Sequence, residues 1–532
     1  MSFSRRQFLA APAALAWPTT QTFAAESATP VRGGTLVYGV GREPPGLTSA
    51  ITTAGPTQTV SGKIFDGLVT YDLDLKPQPQ LATSWDISAD GLSITLHLRA
   101  GVKWHDGHPF TSADVAFSVL EAWKTYNARG RATFANVERV DTPTPLIAVL
   151  RLSKPAPYIL RALSSIESQV IPKHLYAGTD VLANPHNNAP IGTGPFRFVR
   201  WDRGSQLVLE RNPDYWDTGK PYLDRIIFRQ LPDPAAAFAA LETGDVHLSG
   251  ELPLSELRGI AAKPNLVLHR RTANASAGIT GFEFNLERPI FKDVRVRRAI
   301  AHAIDRDFLL KNVWFGYGTV AQAPIPKPFA EFYTDDVPNY AFDLKRAEAL
   351  LEEAGYKRNA KGIRLTFTND PNATSATLNQ TAQVLRSSLA KIGVRMEVRN
   401  QDFGEFINRV YTRRDFDTTL YSASAGPDPA IGTQRFYWSK NIQTGVAFSN
   451  GAAYRNPEVD RLLEAAQTET DPAKRRSLYV RFQQLAETDL PKIPLISTET
   501  VVVASKRLRN FLGTGDGAGG NFAEAWLTPG VA

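Results

Sequence analysis

Cysteine is missing from all 532 residues. That excludes disulfides, thiolate metal sites, iron–sulfur clusters and a lipid-modified N-terminal cysteine. Beyond the first 25 residues no run approaches the 18 or so apolar residues that a transmembrane helix needs. Charge of one sign is not concentrated either: 60 Lys and Arg oppose 53 Asp and Glu, for a formal net charge of +7. The densest basic cluster, Arg295, Arg297 and Arg298, falls on a predicted helix and reads as its solvated face. A basic stripe interleaved with aromatics is lacking, so nucleic-acid binding is not expected. The usual catalytic signatures are lacking too. Gly39-Val40-Gly41 is followed by Pro44 where a dinucleotide fingerprint needs its third glycine. Neither Gly-x-Ser-x-Gly nor His-Glu-x-x-His occurs. His105 and His108 lie across a glycine turn with Asp106 as their only nearby acid, and read as turn residues rather than ligands. No enzymatic activity, metal or cofactor is expected.

What is present begins with an export signal. Ser4-Arg5-Arg6-Gln7-Phe8-Leu9 has a twin-arginine pattern, and the alanine-rich stretch Leu9 to Trp17 follows it. Pro12 and Pro18 would break a core helix there. Thr22-Phe23-Ala24 supplies a small residue for cleavage, so residues 1–25 are expected to be a signal peptide. The mature chain is then free and soluble in the periplasm of a Gram-negative cell. It keeps enough length for roughly three domain-sized cores, with an ordinary 43% hydrophobic and 21% charged content.

Local signals then place the elements. Between Leu81 and Ser118, Asp90-Gly91 marks a hairpin turn, and Ile94, Leu96 and Leu98 alternate with Ser93, Thr95 and His97 as in a half-buried strand. Thr111 opens a helix with Asp114 at capping-box spacing, flanked by Phe110 and Val115 as a hydrophobic staple. Strands are predicted at 34–40, 146–152, 191–198 and from 207. Pro195 interrupts the glycine-rich turn Ile191–Phe196 where a phosphate-binding helix would begin, so that turn is read as structural. Asp293, Asp343, Asp402, Asn456 and Asp471 each stand where a helix should start. Strands at 363–367, 394–398 and 418–421 alternate with these helices, which argues for a largely parallel sheet with crossover helices. A last strand is expected at 491–496.

Four strings, in order, carry a resemblance: Leu81 to Ser118; Gly192-Thr193-Gly194-Pro195-Phe196; Arg211-Asn212-Pro213-Asp214-Tyr215-Trp216; and Phe284-Asn285-Leu286 through Pro289 to Arg306. Together they resemble the extracellular solute-binding proteins, family 5, which serve peptide and nickel ABC transporters. The resemblance implies an α/β fold, a two-lobed clamshell of the type II periplasmic-binding-protein kind. An extra subdomain is inserted in the first lobe. The expected division is lobe I at 26–70, 190–280 and 495–532, the inserted subdomain at 71–189, and lobe II at 281–494. The crossings between lobes are expected near 278–284 and 490–497. The partners it implies are a small peptide or peptide-like solute and an inner-membrane ABC permease, with the receptor itself a monomer.

The ligand is the open question. In dipeptide-binding relatives an aspartate three residues before an Asp-Pro pair meets the ligand's amino group; aligning on Asp428-Pro429 puts Ala425 there. An ammonium buried without a carboxylate is costly, so a simple dipeptide ligand is disfavoured unless Asp428 supplies the charge. Tyr421 and Ser424 lie on the same strand end. Arg435 could meet a carboxylate and Trp438 could stack on the ligand. Glu43, in the loop after the first strand, is the candidate from lobe I. Nickel-chelate, opine or oligosaccharide ligands remain alternatives within the family, and a secreted acid-dependent hydrolase is the alternative outside it.

Overall fold

The computed structural model describes residues 29–529, apart from 128, 251, 272–276 and 373–374. The expected signal peptide therefore lies outside the described residues. Three sheets organise the rest. The first has seven strands in the order Leu266–Arg271, Thr500–Ser505, Leu248–Ser249, Thr35–Val40, Arg225–Gln230, Gln206–Arg211, Phe196–Asp202. Thr35–Val40 sits inside it, parallel to both neighbours. The second has six strands in the order Thr319–Val320, Lys492–Ser497, Gly278–Phe284, Thr418–Ser424, Leu365–Pro371, Val394–Val398. A four-stranded antiparallel sheet, from Ala82–Ile87 to Ile147–Leu152, forms the inserted unit between segments of the first lobe.

The hairpin at Asp90-Gly91 forms as its alternation requires, with Ile94, Leu96 and Leu98 buried and their neighbours half-exposed. Thr111 caps Ser112–Phe117, its N–H donating to Asp114 Oδ2 at 2.8 Å. The carboxylates of Asp293, Asp343, Asp402 and Asp471 and the amide of Asn456 each accept from a backbone N–H in the first turn they cap. In the helix Val294–His302 and just beyond it, Val296, Ala299, Ile300, Ala303 and Ile304 are at most 1% exposed. Burying each larger one contributes about 1.5–3 kcal/mol.

Three expectations need correction. The second sheet is mixed rather than largely parallel: only Leu365–Pro371 with its two neighbours is parallel, and the other pairs run antiparallel. The segments near 278–284 and 490–497 are not crossings, because Gly278–Phe284 and Lys492–Ser497 pair within that sheet; the later passage between the lobes falls at 498–499, just before Thr500–Ser505 of the first sheet. Arg297 does not cover a solvated face. It is buried and donates to the carbonyls of Phe291, Asp489 and Leu490, satisfying helix-end acceptors that would otherwise be orphaned.

The glycines of the Ile191–Phe196 turn are there for close packing. A Cβ at Gly192 would lie 1.9 Å from the Ile64 carbonyl oxygen, and Gly194 N–H donates to that same oxygen at 2.9 Å. Tyr215 and Trp216 anchor the same corner. Both donate to the buried Asp66 carboxylate, at 3.3 Å and 2.7 Å.

Candidate functional site

A cavity of about 260 Å³ opens at the carboxyl end of the strand Thr35–Val40. Its wall is built from lobe I with Ile166 of its inserted subdomain: the loop carrying Arg42 and Glu43, the start of the helix Gly55–Ile64, the hairpin at Trp201, and Asp516. Here the edge strands end and the loops turn, the usual crevice of a sheet containing parallel strands. Glu43 lies in this wall, and its Oε1 accepts from Gly204 N–H at 3.1 Å. Arg271 is occupied by the carbonyls of Leu512 and Thr514, at 2.6 Å and 2.8 Å. Burial raises the Asp516 pKa to about 6, against hydrogen bonds from Thr70 and Ser164 that favour the anion.

Lobe II presents a much smaller cavity, about 20 Å³, lined by Ser424, Ala425, Thr433, Phe436 and Lys492 among others. The strand geometry explains Lys492. It stands opposite Glu283 across the ladder, while Gly281, facing Tyr421 on the other side, has no side chain. A Cβ at Gly281 would meet the Lys492 stem at 2.1 Å, so the lysine lies across that gap. Its Nζ reaches 4.1 Å from the centre of the Tyr421 ring and 4.8 Å from that of Phe436. Burial, opposed by Glu283 and helped by Arg435, brings its pKa down to about 8. Burial likewise raises the Glu283 carboxyl, against the opposite pull of Lys492 and the Tyr421 hydroxyl.

Of the candidates read from sequence, Ser424 and Ala425 line this lobe II cavity and Glu43 lines the lobe I cavity. Tyr421 lines neither; it is fully buried and donates to Glu283 Oε2 at 2.6 Å. Asp428 cannot replace the missing ammonium anchor. It is fully buried and held by Arg475 through two hydrogen bonds of 2.7 Å, with Ala430 N–H adding a third. Trp438 turns away from both cavities, its Nε1–H donating to Glu464 Oε1 at 2.9 Å. Arg435 packs over Phe436, and its Nε–H donates to Gly432 O at 3.1 Å. Burial, reinforced by the nearby Arg129 of the inserted subdomain, lowers its pKa to about 10. That influence, like the Arg161–Glu331 ion pair at 2.6 Å, comes across the seam between the subdomain and lobe II.

Sequence reasoning missed Lys492 and Glu283. Their signal was present: each is a lone charge in a strand that is otherwise apolar or small, Lys492-Ile-Pro-Leu-Ile and Gly281-Phe-Glu-Phe. Neither placement makes sense on a solvated face.

Residues 76–445 match the family described as bacterial extracellular solute-binding proteins, family 5. An ABC transporter peptide-binding protein of Brucella ovis is 32% identical, with 86% of each chain covered. The Bacillus subtilis oligopeptide-binding protein AppA, solved with a nonapeptide, superposes with a TM-score of 0.82 at 26% identity, covering 94% of this chain and 100% of that one. NikZ of Campylobacter jejuni, solved with Ni(L-His), gives 0.81 at 29% identity, covering 92% and 97%. No helix among the described residues is long and apolar enough to cross a membrane.

Proposed function

The chain belongs to the bacterial extracellular solute-binding proteins, family 5, and we propose that it works as the peptide-binding receptor of an ABC importer. It captures a peptide or peptide-like solute between its lobes and delivers it to a membrane permease. No covalent step is involved: the solute binds the closed form more tightly than the open one and so shifts the lobes together. The twin-arginine pattern at Arg5-Arg6 supports export to the periplasm, where the receptor acts as a monomer.

One observation carries the finer reading of the ligand. Ala425 and Lys492 share one small cavity, so a cation stands beside the position where an ammonium anchor would be. Arg435 adds a second positive charge to the neighbourhood. This wall repels a free amino terminus and attracts a carboxylate. The solute is therefore peptide-like with an anionic end at lobe II, its amine substituted, absent or far along the chain.

Isothermal titration tests this with unmodified dipeptides and tripeptides set against their N-acetyl and N-succinyl derivatives. The substituted series should bind at least tenfold tighter. Tight binding of plain dipeptides would overturn the reading. Ala425→Asp alone is not expected to restore dipeptide binding, because the new carboxylate would meet Lys492; Ala425→Asp combined with Lys492→Met should.

A further inference from the structure

We propose that Asp106, His108 and His174 form a binding site for a divalent transition-metal ion, of the Zn²⁺, Ni²⁺ or Cu²⁺ class. One donor atom from each lies within 4.8 Å of the other two. Asp106 Oδ2 is 2.7 Å from His174 Nε2, and Asp106 Oδ1 is 3.3 Å from His108 Nδ1. Two donors bound to one ion at about 2.0–2.2 Å sit roughly 3.0–3.4 Å apart for angles between square and tetrahedral. The carboxylate–imidazole distances are already close to that range. The two rings stack with centroids 4.2 Å apart, so both imidazoles lie side by side at the same carboxylate. Two imidazoles and one carboxylate suit zinc, nickel and copper and do not suit magnesium or calcium, which prefer oxygen alone.

The donors come from two separately anchored segments. Asp106 and His108 belong to the turn after Trp104, which is buried. That turn closes through Trp104 N–H donating to His108 O at 2.8 Å and His108 N–H donating to Asp106 Oδ1 at 3.2 Å. His174 lies in the short helix Lys173–Tyr176, held by buried Tyr176 and by Lys173 N–H donating to Asp114 Oδ1 at 2.9 Å. The ion would thus cross-link turn and helix. His105 takes no part: its ring is engaged with the backbone of Gly192 and Gly194. In sequence, His108 is weighed only with His105 across the turn, whereas the imidazole stacked on it is that of His174, 66 positions further along.

Solvent can deliver the ion, since the side chains of His108, His174 and Asp106 are 61%, 27% and 25% exposed. None of the three lines either cavity, so the metal is distinct from the transported solute. With three protein donors the ion keeps at least one position for water.

The test is titration of the tag-free exported chain with zinc chloride and, separately, copper chloride, with no solute added. One ion per chain is expected, with copper tighter than zinc, and a rise in Tm that grows with metal concentration. His108→Ala and His174→Ala should each weaken zinc by more than the ten- to hundredfold that loss of an outer partner of a ligand costs. Both variants should keep the metal-free Tm of the parent. His97→Ala, which removes a histidine paired only with Asp86, should change nothing. X-ray absorption of the zinc form should show two imidazoles. Absence of binding at millimolar zinc, or binding that survives His174→Ala unchanged, overturns the proposal.

Discussion

Lobe I meets the cleft with room, and lobe II meets it with charge. The first wall encloses about 260 Å³, and the side chains of Glu43 and Arg271 on it are engaged with their own lobe. The second encloses about 20 Å³, yet holds Lys492 buried, with the half-buried Arg435 close by. Among the described residues neither of these two cations has a carboxylate within 4 Å. Lys492 is offset only by the faces of Tyr421 and Phe436 and by the field of Glu283, so its desolvated charge is left room for a partner supplied by the solute. The comparison separates two jobs. On the proposed reading, lobe I would accommodate the bulk of the ligand and lobe II would select its charged end.

The largest effect should come from the buried Arg475–Asp428 pair. Arg475→Ala leaves Asp428 with only the Ala430 N–H in a site with no exposure, and should cost about 3–5 kcal/mol of stability in chemical denaturation. Stability close to the parent's would mean that the pair is not what holds this segment. Lys492→Met should behave in the opposite way. Removing an ammonium whose desolvation is offset only by two aromatic faces and the field of Glu283 should leave unliganded stability unchanged or raised, while affinity for an anionic-ended peptide falls by about 1.5–3 kcal/mol. If both quantities fell together, Lys492 would be a structural residue and the contrast between the lobes would fail.

A pH experiment probes the lobe I wall. The Asp516 pKa is raised to about 6 by burial, above the 3.8 of an ordinary aspartate. Between these values the folded state binds more protons than the unfolded state, so this group's contribution falls as pH rises through about 6. Moving from pH 7.5 to 5 should therefore return about 1–2 kcal/mol through this carboxyl. Denaturation of Asp516→Asn at the two pH values should show that increment missing. An identical pH difference in parent and variant would show that Asp516 is not the titrating group.

The helix starts were legible because capping is local: a carboxylate or amide two or three residues from the N–H it accepts depends on nothing distant. The same holds for the Asp90-Gly91 hairpin. Residues 421–438 were not legible in the same way. After Ser424 the chain turns through Gly426, in the left-handed region at φ 67°, and folds back so closely that a Cβ at Gly432 would lie 1.9 Å from Ala425 O. That fold sends Asp428 inward to an arginine 47 residues away and Trp438 outward to the helix Pro457–Thr468, neither of which spacing reveals. Lys492 opposite Glu283 is a pairing across more than 200 positions, set by sheet register rather than local pattern. Local chemistry fixed the elements, and long-range register decided which side chains face the cleft.

The smallest effect is expected at Glu43, where the contrast between lobes is most exposed to refutation. Its carboxylate lines the large cavity, but Oε1 already accepts from Gly204 N–H and ties the first loop to the Asp202–Ser205 turn. Glu43→Gln keeps that acceptor and removes only the charge. Because Glu43 is only half-buried, water screens its field and its charge contributes little. Titration of the same anionic-ended peptide should change by less than about threefold, well below the effect of Lys492→Met, since a screened charge is worth about 0–1 kcal/mol. The sign also matters: losing a negative charge opposite an anionic solute should, if anything, tighten binding. A loss of tenfold or more would place a cationic group of the solute on lobe I, and selection by charge would then belong to both walls.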